Sequence, residues 1–346
     1  MTFTPLLNHY LLPSIHPSYA RLLAAHARNQ GVDMEELFKG SSLDWNALLK
    51  SPSFVSFEQF KRVVKNAELL TGNDHLELDI SSMSQASSHG PLGYGALAAP
   101  TVRETFELVQ RMLATRITII SLELVEGEQH TRFRVTPTFD LGELSVFVTM
   151  MLLGSFLDLI TKTTGDSTTE LLVRLPFDSL DKEADYAEKF PQVQFELGHA
   201  ALEVVMPQAL MNQPSLTADD FAYRNALREC EQLLRQAGNG GAFARRVKTY
   251  LINHCDSLPN QEALASIFAV SVRTFIRKLK TEGTSYQALL DEVRKELVVW
   301  YLSDTSLSVD EIANLVGYAD TSNFSRVFRR WFDQTPSEFR KLNQLT

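Results

Sequence analysis

The chain has 346 residues, enough for two or three domains, and an apolar share of 44% allows a sizeable core. Its two cysteines, Cys230 and Cys255, exclude a disulfide framework and a cysteine-based zinc site, and fit a reducing cytoplasm. The net charge of −9 is uneven: residues 241–346 hold 14 Lys and Arg against 12 Asp and Glu, a local +2 that leaves −11 for the rest.

Taken in chain order, the first residues lack the basic start and apolar core of a signal peptide. "SYARLLAAHARNQG" and "SFEQFKRVVKNAELLTG" have helical periodicity, and each ends at a glycine. "GPLGYG" is glycine-rich without the spacing or preceding strand of a phosphate cradle, so a tight turn is expected. "RITIISLELVEGEQHTRFRVTP" alternates and breaks at Glu126-Gly127, which predicts a hairpin. "LSVFVTMMLLGSFLDLI" is short for a membrane span and its apolar run ends at Asp158, so a buried helix is expected and no membrane partner. "TELLVRLPF", "VQFEL" and "LEVVMP" read as further strands. Pro207 and Pro214 bracket an exit from a domain. Then comes a connecting or pairing helix, with Thr217 as its cap, and the glycine-rich link "AGNGGAF".

The C-terminal part carries the sharper signal. Ser308 and Glu311 form a capping box for "VDEIANLV", Gly317 supplies a turn, and Asp320 caps a second helix. On that helix Phe324, Val327, Phe328 and Trp331 share one face, while Ser322, Ser325, Arg326 and Arg329 share the other. Upstream, "NQEALASIFAVSVRTFIRKLKTEG" repeats the plan. Asn260 caps, Ala269 stands where Gly317 stands, Phe275 and Leu279 face inward, and Arg273, Arg277 and Lys280 face outward. The offset is 48 residues in the first helices and 49 in the second. Between the units "TSYQALLDEVRKELVVWYLSD" reads as one linker helix, with a capping box at Thr284 and Gln287. "TPSEFRKL" closes the chain with another box at Thr335 and Glu338. Two capped helix-turn-helix units with matching basic faces point to double-stranded DNA. Arg273, Arg277 and Arg326 suit base edges; Lys280, Arg329 and Arg330 suit phosphates.

"SVDEIANLVGYADTSNFSRVFRRWFDQTPSEFR" and "LASIFAVSVRTFIRKLKTEGTSYQALLDEVR" closely resemble the two DNA-reading units of the AraC/XylS regulators. The resemblance implies base-facing positions at Arg273, Ile276 and Arg277, and at Thr321, Ser322, Ser325 and Arg326. Ile276 departs from the polar residue frequent in relatives, and Asp333 from a frequent glycine. More loosely, "GPLGYGALAAPTVRETFELV" and "VQFELGHAALEVVMP" resemble the family's arabinose-binding-like N-terminal domain, which implies a small-molecule receptor without naming its ligand. RNA polymerase is the further partner implied, and a homodimer is compatible with the connecting helix.

The fold class expected is an α+β N-terminal regulatory domain followed by an all-α C-terminal domain with two helix-turn-helix units joined by a linker helix. The domains are 1–215 (regulatory), 216–240 (connecting helix and linker) and 241–346 (DNA-binding). Candidate effector-binding residues are His89, Tyr94, Arg111, Met150 and Met151, although core packing is the simpler role for the two methionines. "LGSFL" is not a nucleophile elbow, the eight histidines lack metal-ligand spacing, and no cofactor motif is present. The reading is therefore a cytoplasmic transcription regulator and not an enzyme. Its alternatives are a ligand-independent regulator whose front half only dimerises, or a DNA-tethered metabolite-processing protein.

Overall fold

The computed structural model describes residues 10–50, 53–165, 171–180, 183–238, 243–255, 258–318 and 320–343. The chain divides into two compact units that are not contiguous in sequence. Ser14–Leu37 and Ala67–Ala237 form the α+β unit; Phe38–Asn66 joins the C-terminal residues from Gly238 onward in the helical unit.

In the α+β unit, helix α1 (Pro17–Asn29) begins with Pro17 at its first position and the His16 side chain as cap. Helix α2 (Phe57–Thr71), whose residues up to Asn66 belong to the helical unit, ends at Gly72, as its periodicity predicts. Helix α3 (Leu76–Met83) follows. The stretch "GPLGYG" is the start of helix α4 (Gly90–Ala98), not a turn. Here packing overrides propensity. A Cβ on Gly93 would lie 1.7 Å from the Ala86 carbonyl oxygen, and one on Gly95 would lie 2.9 Å from both Ala226 and Leu108. Gly93→Ala is therefore expected to destabilise this unit by about 1–3 kcal/mol through overpacking, read as a lower Tm of the full-length protein.

Helix α5 (Val102–Met112) is capped by Thr101. Strands β1 (Ile120–Glu126) and β2 (His130–Pro137) form the expected antiparallel hairpin, with Leu122 opposite Val135 and Leu124 opposite Phe133. Helix α6 (Ser145–Thr164) is apolar and long enough to cross a membrane, yet 78% of that window is buried, which marks a core helix. Strands β3 (Leu171–Arg174), β4 (Val193–Glu196) and β5 (Leu202–Pro207) complete a five-stranded sheet in the order β1-β2-β5-β3-β4. All pairings are antiparallel except β3 with β4.

One sheet face is apolar. Phe133 of β2 packs its ring 4.7 Å from Phe106 of α5 and 4.8 Å from Phe156 of α6. The other face is charged: Arg134 and Arg174 both pair with Glu203. Backbone bonds pin residues 213–219 to this unit, from Val102 to Gln213, Ser215 to Pro100 and Asp219 to Ala98. Helix α7 (Asp220–Gly238) then starts from Asp219, whose carboxylate accepts the Ala222 N–H. Thr217 is not the cap; its hydroxyl donates to the Leu97 carbonyl instead. The linker expected over "AGNGGAF" lies largely outside the described residues.

The helical unit holds α8 (Phe243–Asn253), α9 (Gln261–Ile267), α10 (Val272–Thr281), α11 (Tyr286–Asp304), α12 (Val309–Leu315), α13 (Thr321–Phe332) and α14 (Pro336–Asn343). Its core gathers Val247, Leu251, Phe275, Leu279, Val293, Leu297, Phe324, Phe328 and Phe339. The linker helix α11 buries Leu289, Leu290, Val293, Leu297 and Leu302, the stripe its spacing predicts. Its cap is Ser285, which accepts the Ala288 N–H, rather than the adjacent Thr284. The boxes at Ser308–Glu311 and Thr335–Glu338 close as expected.

Candidate nucleic-acid interface and effector cavity

The two helix-turn-helix units are superimposable in their local bonding. In the first, Asn260 accepts the Ala263 N–H, the Ala269 N–H reaches the Ser266 carbonyl, and the Val270 N–H reaches the Ala265 carbonyl at 2.9 Å. In the second, Ser308 accepts the Glu311 N–H, the Gly317 N–H reaches the Asn314 carbonyl, and the Tyr318 N–H reaches the Ala313 carbonyl at 2.9 Å. The turn places both Ala269 (φ +52°) and Gly317 (φ +82°) in the left-handed region. Only glycine enters that region freely, so Ala269 holds it at some strain. Ala265 and Ala313 are each 1% exposed, because a small side chain is needed where the two helices of a unit approach.

The caps of the reading helices match as well. Ser271 accepts the Thr274 N–H, and Asp320 accepts the Asn323 N–H. Phe275 and Leu279 bury the inner face of α10; Phe324 and Phe328 bury that of α13, while Val327 and Trp331 are half-buried. The outer faces are as expected. Arg273, Ile276, Arg277 and Lys280 are exposed, as are Ser322, Arg326, Arg329 and Arg330. Thr321 and Ser325 are half-buried, and the Thr321 hydroxyl is held by Asp310. Ile276 keeps 46% of its surface exposed, unusual for an isoleucine without a partner. Asp333 ends α13 in the left-handed region at φ +54°, the conformation a glycine would suit.

Arg273, Arg277, Lys280, Arg326, Arg329 and Arg330 make no ion pair among the described residues. The linker helix fixes the second turn instead of its basic face: the Arg294 guanidinium donates from Nε to the Val316 carbonyl at 2.9 Å and lies over the Tyr318 ring. Sequence reasoning missed a support for the first unit. Helix α8 packs Phe243 against Phe268 and Phe275 and holds the half-buried Lys248, which donates to Glu296 of α11 at 2.9 Å and to Glu292 at 3.1 Å. Residues 38–66 belong to the same helical unit, where Arg62 donates to Ser303 near the end of α11 at 2.8 Å.

The α+β unit holds a small cavity of about 40 Å³ between α1, α4, α5 and α6, lined among others by Tyr19, His89, Leu92, Arg116, Leu152 and Phe156. His89 is the one effector candidate that lines it. Tyr94 is 57% exposed, Arg111 is exposed, and Met150 and Met151 are buried in the core away from the lining. The structure adds Tyr19, Ser155 and Arg116. Ser155 donates to the Met151 carbonyl, so it accepts from His89 Nε2 at 3.2 Å, and His89 Nδ1 accepts the Tyr19 hydroxyl at 2.8 Å. Burial, then the charge of Arg116, pulls the His89 pKa down to about 4, so the imidazole is neutral near pH 7.

The family profile for the arabinose-binding N-terminal domain of AraC transcription regulators matches residues 31–215, over half of the chain. The chain belongs to the AraC family of transcription regulators. A helix-turn-helix domain profile matches residues 264–342, the stretch that contains both reading helices. This AraC-family chain is 28% identical over 324 residues to the ornithine utilization regulator of Pseudomonas aeruginosa, covering 94% of this chain and 95% of that one. It is 33% identical over 104 residues to the transcriptional activator RhaS of Enterobacter sp., covering 30% of this chain and 37% of that one. The crystal structure of the transcriptional regulator CdpR from Pseudomonas aeruginosa aligns over 94% of this chain and 98% of that chain at 21% identity, with a TM-score of 0.46. The protein is thus a DNA-binding transcription regulator with an α+β N-terminal part and a helical DNA-reading part. The two relatives named here are transcription regulators.

Proposed function

We propose that α10 and α13 enter successive major grooves of a promoter, about 34 Å apart. The observation that carries this is the matched pair of helices, each buried on one face and bearing unpaired cations on the other. Arg273, Arg277 and Arg326 read base edges, with Ser322 and Ser325 beside them, and Ile276 meets a thymine methyl. Lys280, Arg329 and Arg330 hold phosphates. Thr321 is the weakest of the base-facing positions, because its hydroxyl already serves Asp310.

Residues 1–215 bear a small-molecule sensor whose site is the cavity at His89, and 241–346 bear the DNA-reading domain, with 216–240 connecting them. Ligand binding shifts the populations of domain arrangements, and with them the half-sites that are held together. The chain acts in the cytoplasm, works through RNA polymerase and performs no turnover. Helix α7 supports a homodimer, since Phe221 on it is 76% exposed. The ornithine named for one relative finds little support here, because no carboxylate lines the cavity to receive an ammonium group.

Selection of genomic fragments on the full-length protein, with and without deproteinised cell extract, tests the reading. Promoter fragments with paired motifs and an extract-dependent yield are expected. Enrichment indifferent to extract would favour the ligand-independent reading, and no enrichment at all would overturn the promoter assignment.

A further inference from the structure

Arg116 is 4% exposed, a guanidinium taken almost wholly out of water. Its Nη2 donates to the Ser18 hydroxyl at 2.6 Å and to the Ser88 carbonyl at 3.0 Å, both neutral acceptors. Its Nε has no acceptor, and no Asp or Glu among the described residues pairs with it. Isolated buried charge is expensive, and proteins meet it with a counter-ion. The neighbouring groups do not supply one. Asp158 is already committed to Lys162 at 2.8 Å and to the Ala86 N–H at 2.8 Å. His16 accepts the Ser18 N–H on Nδ1, and burial, then Arg116 and Arg21, pulls its pKa down to about 3. His89 is neutral as well, Cys230 is held above its usual range by burial, and Tyr19 keeps its proton for the same reason. Arg21 adds a second positive charge nearby.

The same guanidinium lines the cavity, whose other walls are Leu92, Val109, Leu113, Leu152, Phe156 and Leu159. Resting on the reading of this cavity as the effector site, we infer that its ligand is a small monocarboxylate with a short apolar body. The carboxylate completes the Arg116 charge pair, and the aliphatic part sits between α4 and α6. Ser18 and Ser88 take both Nη2 hydrogens, so the carboxylate accepts a charge-assisted bond from the remaining donors, Nε–H or Nη1–H. Ala96 lines the space with a single methyl group, and Gly93 lines it with backbone alone.

The test uses the full-length protein and straight-chain monocarboxylates from acetate to octanoate, each beside the primary alcohol of the same length. Calorimetry and thermal shift are the readouts. At least one acid should bind, at least about tenfold tighter than its alcohol, as a charge-assisted pair requires. Arg116→Gln should erase that preference while keeping the wild-type circular dichroism. Equal binding of acid and alcohol, or an acid preference that survives Arg116→Gln, would overturn the inference.

Binding of no acid would also overturn it, and a second readout then separates the two readings. Leu152→Trp fills the cavity, with Ala96→Val as a milder filling should the first not fold. If the extract-dependent change in DNA binding is lost in the filled variants, the cavity remains the sensor and only the carboxylate assignment falls. If that change persists at wild-type size, the sensing reading falls with it.

Discussion

Lys248→Met is expected to destabilise the helical unit by about 3–5 kcal/mol, because it strands the Glu296 carboxylate in the core. Glu296 is 5% exposed, and one of its oxygens, Oε2, has no partner even in the native pair. Burial pushes its pKa above the usual carboxylate range, against the pull of Lys248. Burial works against the Lys248 charge too, but Glu296 and Glu292 outweigh it and hold that pKa above the ordinary lysine value. The pair is therefore tolerated rather than strongly favourable, and its partners depend on each other.

The pH dependence of the variant follows from the sign of the Glu296 shift. A raised folded-state pKa means that the native state prefers the protonated carboxyl. The deficit of Lys248→Met should thus be full at alkaline pH and shrink as pH is lowered through the raised pKa to a mildly acidic value. Denaturant melts of variant and wild type at both pH values would show it. The double variant Lys248→Met with Glu296→Met should recover most of the loss, since an apolar pair of similar volume replaces the charges. A single variant as stable as wild type at the higher pH would contradict this account of the pair.

Arg326→Ala is expected to weaken binding to the selected promoter site by about 1–3 kcal/mol and to relax preference at one base pair. Arg329→Ala should instead weaken binding to all sequences alike and reduce the salt slope by about one. The contrast rests on position along α13. Arg326 lies six residues after the Asp320 cap, in the N-terminal half of the helix that meets base edges, and Arg329 lies in the last turn, near the phosphates. Titrations of matched and single-mismatch duplexes at several salt concentrations separate the two effects. Exchange of the two behaviours would mean that α13 docks the other way round.

Much of the fold was legible because its signals are local. The hairpin showed as alternation around Gly127, the core helix as one apolar run, and the reading helices as caps followed by faces of period 3.6. Errors of one or two residues came where competing capping side chains adjoin, as with Thr284 beside Ser285 and Thr217 before Asp219. "GPLGYG" misled because glycine discourages helices, whereas here close packing against Ala86 and Ala226 excludes any side chain at two positions.

The effector cavity was scarcely legible. His89 stood out beside Gly90-Pro91, but Tyr19, Arg116 and Ser155 reach it from distant parts of the chain, each in an ordinary helical or loop context. The Lys248–Glu296 pair is hidden for the same reason, since its two residues sit on different helices and only burial distinguishes them from surface charges. Nor does any local signal announce that residues 38–66 share a unit with the DNA-reading helices.

Two helices held by one linker helix are proposed to read two successive grooves. Hydroxyl-radical footprinting of the selected promoter fragment tests it most directly, together with a fragment carrying a half-turn insertion between the paired motifs. Two protected patches one helical turn apart on the same face of the duplex, centred on the two motifs, are expected, with loss of one patch after the insertion. A single patch, or two patches that survive the insertion unchanged, would contradict it.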